Sequence, residues 1–95
     1  MKDIIRDITE FMIARGGYYY QWCVGITSEP RKRLFADHNL DEERDVWISR
    51  DCGSETTAGE VERHFLESGC QESTRVGEPS STHVYLYKIS KHTIE

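Results

Sequence analysis

The stretch whose reading decides the fold is "GGYYYQWCVGITSEPRKRLFADHN", Gly16 to Asn39. It passes from paired glycines through an aromatic segment to another glycine, then through a Ser/Pro turn into a short basic helix. Tyr18 to Ile26 has the aromatic and β-branched composition of a strand and is bracketed by turn residues. Alternation puts Tyr18, Tyr20, Trp22 and Val24 on one face, and Tyr19, Gln21, Cys23 and Gly25 on the other. The first set reads as core. The second, smaller and more polar, reads as a surface a ligand could approach, with Tyr19 and Gln21 facing it.

Upstream, Ile4, Ile5, Ile8, Phe11 and Met12 recur at helical spacing opposite Arg6, Asp7 and Glu10, so residues 3–15 form an amphipathic helix that Gly16 and Gly17 end. Downstream, Thr27 or Ser28 caps a helix with Pro30 in its first turn, where no amide hydrogen is needed. That helix runs to about His38, with Leu34 and Phe35 inward. A polar loop, Asn39 to Arg44, leads to "DVWISRD" (Asp45 to Asp51), a second strand. A helix from about Thr56 to Ser68 follows, with Thr57 and Glu60 as a capping box and Ala58, Val61 and Phe65 as its buried stripe. Glu62 stands at the edge of that stripe. Gly69 to Thr82 reads as a loop by composition, and "HVYLYKIS" (His83 to Ser90) as a third strand.

A chain of 95 residues can close one hydrophobic core, so residues 1–95 are expected to be a single domain. With 37% hydrophobic and 31% charged residues and ten aromatics, its composition is that of a small globular domain and excludes a disordered tail. No apolar run approaches the roughly 18 residues that span a bilayer, so the expectation is a cytoplasmic protein with no membrane partner. Cys23, Cys52 and Cys70 are odd in number and lack CxxC spacing, which points to reduced thiols packed as small hydrophobes. The net charge of −5 opposes general affinity for phosphates, but Arg31, Lys32 and Arg33 form a local basic cluster beside the aromatic strand.

From residue types alone, the chemical candidates are one carboxylate (Glu62), one arginine (Arg33), one histidine (His38) and the strand tyrosines. Such a set could hold a divalent cation, stabilise developing negative charge and move a proton, as phosphodiester hydrolysis requires. Each also has an ordinary structural role. Glu62 reads equally as a solvated or ion-paired helix carboxylate, and Arg33 as the i+4 partner of Asp37. His38 reads as a cation at a helix C-terminus. His64, His83 and His92 show no convergent spacing.

"CVGITSEPRKRLFADHN" resembles the second motif strand and following helix of the GIY-YIG nuclease superfamily, in which an arginine lies eight residues after the strand glycine. Gly25 and Arg33 have that separation. "VWISRDCGSETTAGEVE" resembles the next strand and the helix bearing the family's metal-binding glutamate, with Ala58 four residues before Glu62. The resemblance covers about residues 17 to 68. It implies Glu62 as ligand of one magnesium or manganese ion, Arg33 as the clamp on the scissile phosphate, and His38 or Tyr19 assisting proton removal from water. Gly25, Arg31 and Lys32 would line the substrate path, with DNA as the substrate.

Three departures accompany it. The tyrosine two residues before the motif glycine is Cys23 in this chain, and no separate first motif strand precedes it. The C-terminal "VYLYKIS" has the look of that strand and is a candidate for its slot, with Tyr85 or Tyr87 supplying a hydroxyl. His38 also lies five residues after Arg33, a step of about 140° on an α-helix. Either the helix ends before His38, or His38 takes no catalytic part. The expectation is an α+β domain: a three-stranded, largely antiparallel sheet flanked by three helices. Two functions fit it, a metal-dependent DNA endonuclease or a catalytically inactive relative that binds a protein or nucleic acid. A homodimer or a protein partner could supply further affinity in either case.

Overall fold

In a computed structural model, which describes residues 2–74 and 80–95, the chain is an α+β structure with a mixed four-stranded sheet. Helix α1 (Lys2–Arg15) ends at Gly16 and Gly17, whose φ of 80° and 95° place them in the left-handed region that glycine adopts without strain. A one-turn 3-10 helix (Tyr19–Gln21) then leads into β1 (Trp22–Thr27). A π-helical segment (Lys32–Asp37) is followed by β2 (Trp47–Asp51), α2 (Glu55–Ser68), a two-residue β3 (Gln71–Glu72) and β4 (His83–Lys88).

The strand order is β2-β4-β1-β3. β4 pairs antiparallel with both β1 and β2, setting Gly25 opposite Tyr85 and Ile48 opposite Leu86. The three expected strands are thus joined antiparallel, and β3 adds a short parallel strand where the sequence reads as loop. Residues 75–79 of that expected loop lie outside the described residues. Ser54 caps α2 by accepting the Thr57 amide at 3.1 Å, so the helix begins one turn ahead of the expected Thr57–Glu60 box.

Alternation along the two central strands builds two cores. Trp22, Val24, Ile48, Val84 and Leu86 face α1 and α2, packing on Ile8, Met12, Val61 and Phe65. Cys23, Tyr85 and Tyr87 point the other way, onto Leu34 and Leu40. The sheet is therefore covered on both faces, and the face expected to be open around Cys23 is interior. Trp22 and Val24 are core as expected, but Tyr18 and Tyr20 are exposed because the strand starts only at Trp22. Arresting the pair outside is a local turn: the Tyr18 amide donates to Gln21 Oε1 at 2.8 Å and the Gln21 amide to the Tyr18 carbonyl at 2.9 Å. Among the described residues, no helix is long and apolar enough to cross a membrane.

Candidate functional site

The residues singled out by the motif gather around the hydroxyl of Tyr85. Gly25 lies opposite Tyr85 on the neighbouring strand, and a Cβ at Gly25 would come 2.6 Å from Tyr85 Cζ and closer still to its hydroxyl oxygen. The motif glycine is thus the position that admits the tyrosine ring. Tyr85 belongs to "VYLYKIS", so the late strand does bring a hydroxyl to the motif glycine. It is Tyr85, not Tyr87, that reaches it.

The turn after β1 fixes the next group. Thr27 Oγ1 accepts the Glu29 amide at 3.0 Å and opens the helical segment. Its backbone then runs with a wider turn than an α-helix: the His38 amide donates to the Arg33 carbonyl at 2.9 Å, an i to i−5 bond. That bond closes a turn one residue longer than an α-turn between Arg33 and His38. The helical segment ends at Asp37 with His38 as its C-cap, so the first of the two alternatives holds. Arg33 is nearly buried and its Nε sits 3.2 Å from Asp37 Oδ2, the i+4 pairing expected of it in its structural role.

His38 is fully buried rather than a surface cation at a helix end. Its Nδ1 lies 2.5 Å from the Ile94 carbonyl, which can only accept, so Nδ1 carries a proton and in the neutral ring Nε2 is the acceptor. Nε2 is 2.8 Å from the Tyr85 hydroxyl and 3.3 Å from Ser73 Oγ. Tyr87 donates to Glu95 Oε1 at 3.0 Å and approaches His38 Nδ1 at 3.1 Å. The segment carrying Thr93, Ile94 and Glu95 therefore lies across this face and closes a polar network inside the second core. Burial pushes the Tyr85 phenol up to about 12 against bonding to Ser73, and drives Tyr87 further in the same direction. Both phenols are held neutral near neutral pH, where neither can take a proton from water.

Glu62 is placed differently. It is half-buried on α2 and lines an open cleft of about 880 Å³ with Glu55, Glu60, Glu67 and Glu72. Burial, and then the charge of Glu72, raise its carboxyl above the ordinary range. It and Arg33 are both within electrostatic reach of the Tyr85 phenol. Among the described residues, no three His, Cys, Asp or Glu side chains form a ready-made cation cage.

The other expected contacts lie apart. Arg31 is exposed, ion-paired with Glu42 at 2.5 Å and set over the Phe35 ring, while Lys32 lies 3.9 Å from Glu29. Tyr19 is in the 3-10 turn before β1, and from Trp22 alone Gly25 is about 10 Å further along the strand. Sequence reasoning missed Ser73, Glu72 and the 93–95 segment, which reach the site only through the fold. Compared with known proteins, the chain matches no family model, no curated protein and no solved structure.

Proposed function

We propose that the chain is a catalytically silent GIY-YIG-like domain that serves as a binding module for nucleic acid or protein. The observation carrying this reading is burial: Arg33 is 6% exposed and His38, Tyr85 and Tyr87 are 0% exposed. A clamp arginine and a proton-transfer histidine act on a phosphate they can touch. Here the histidine is tied to two tyrosines, a serine and a backbone carbonyl, and these bonds order the core instead. The three free cysteines, two of them buried, fit a reducing, cytoplasmic setting.

The second reading, a metal-dependent endonuclease, is favoured by Glu62. Its carboxyl lines an open cleft, is raised by burial, and lies beside Glu72, a condition that a bound cation relieves. Magnesium keeps most of its water shell and needs only one or two carboxylates, so Glu62 and Glu72 fit it. The metal would supply charge to neutralise a phosphate. Arg33 would have to leave Asp37, and the 93–95 segment the sheet, before DNA could enter.

The deciding experiment is thermal melting with and without magnesium or manganese, paired with cleavage of linear and branched DNA. Because the Glu62 carboxyl is raised in the fold, its contribution is complete below the unfolded value and is lost as pH rises through the folded one. Glu62→Gln is therefore expected to melt at or above the wild type at pH 7, with no response of either protein to metal and no cleavage. If metal at about 100 times its dissociation constant stabilises the wild type by roughly 2.7 kcal/mol, and Glu62→Gln abolishes both that shift and cleavage, the silent reading fails.

A further inference from the structure

The structure displays an aromatic platform that the motif residues do not use. Tyr18 and Tyr20 are 70% and 60% exposed, and their rings stack on each other with centroids 5.7 Å apart and planes 8° from parallel. A continuing strand would have put both rings in the core. The 3-10 turn holds them out instead, through the two Tyr18–Gln21 bonds and through Gln71 Nε2, which donates to the Tyr20 carbonyl at 2.9 Å. The pair is thus preset at low conformational cost and offers outer ring faces to solvent.

A lysine flanks it. Lys88 Nζ comes within 3.3 Å of where a side chain on Gly17 would begin, at the foot of Tyr18. Beside the platform is a small cleft of about 110 Å³ lined by Thr9, Met12, Ile13, Gly17, Tyr19 and Trp22, with no carboxylate among them. In a chain of net charge −5, stacked rings with a lysine at their foot complement a polyanion that carries flat rings.

We propose that Tyr18 and Tyr20 form a stacking platform for unpaired nucleobases, with Lys88 contacting an adjoining phosphate. Bases within a duplex already stack on one another, so the ligand is a single-stranded segment. The platform lies at the opposite end of β1 from Gly25, and binding there requires neither metal nor cleavage. It therefore stands whether or not the Glu62 site proves active.

The test is fluorescence anisotropy of a labelled oligothymidylate of about 12 nucleotides, inside the 4–16 nucleotide range of stacking grooves. It is run on the full chain in EDTA, with an oligouridylate arm to show whether the sugar is discriminated. Tyr18→Ala and Tyr20→Ala are each expected to weaken binding about tenfold, and both Phe replacements to retain it. Lys88→Gln should weaken binding and flatten its salt dependence, and a hairpin duplex should compete poorly. Because both rings are exposed, melting temperatures should not move, which separates lost stacking from lost fold. Absence of binding by the wild type, binding untouched in the double alanine variant, or equal affinity for duplex would each overturn the proposal. So would sedimentation showing that the alanine changes split a dimer while leaving oligonucleotide binding intact, since the platform would then be a protein interface.

Discussion

At Gly25 the neighbour is a tyrosine ring that cannot retreat. Tyr85 sits on a central strand, is fully buried and is bonded to His38. Gly25→Ala should therefore act as an overpacking mutation and destabilise by about 2–3 kcal/mol. Adding Tyr85→Ala should not make matters proportionately worse, because the clash disappears with the ring, and urea melts of the single and double variants would measure that coupling. The cysteines provide a second check at this scale. Burial raises Cys23 to about 11 and Cys70 to about 12, whereas Cys52 is only half-buried and is raised less. As the thiolate is the nucleophile, iodoacetamide at pH 8 should modify Cys52 first and reach the other two only on unfolding, as peptide mass mapping would show. The thiols were legible as reduced and packed from their number and spacing, but strand alternation put Cys23 on an open face that the fold covers. The Gly25–Arg33 spacing was also visible, but not the reason for the glycine, because Tyr85 is 60 residues distant.

Among the elements, the π-helical segment decides most. It was hidden from α-helical periodicity because one turn of five residues breaks the expected step of about 100° per residue. Inserting one alanine after Ala36 should turn His38 by about 100° away from Tyr85 and Ser73, and lower stability by at least about 2 kcal/mol through stranded buried polar groups. A melt together with loss of the His38 amide's slow hydrogen exchange would report it. Helix α1, the three longer strands and α2 were legible because apolar periodicity and the bounding glycines agree. The tyrosine run was misread for the opposite reason. Its strand propensity is high, yet Gln21 closes a tight turn, and a local hydrogen bond overrode propensity. β3 has two exposed residues and no pattern, and only its partner strand defines it.

For the molecule as a whole, buried phenols and thiols set the alkaline limit of stability. Cys23 moves from 9.0 to about 11 and Tyr85 from 10.0 to about 12 on folding. A group raised in this way contributes fully below its unfolded value and loses that contribution as pH rises through the folded one. The urea midpoint should stay level up to about pH 8.5 and fall between about 9 and 11; a flat profile to pH 11 would mean that these side chains are more hydrated than the fold indicates. Another consequence lies in the order β2-β4-β1-β3. The strand that joins β1 to β2 follows both in sequence, so among the described residues β2 has no sheet neighbour until His83–Lys88 is made. On the ribosome β1 and β2 would emerge with their apolar faces waiting, and this sheet would close in one late step once β4 cleared the exit tunnel. Synthesis, more than any early nucleus, would time the folding of this protein, and an arrested nascent chain lacking that strand is the form a chaperone would meet.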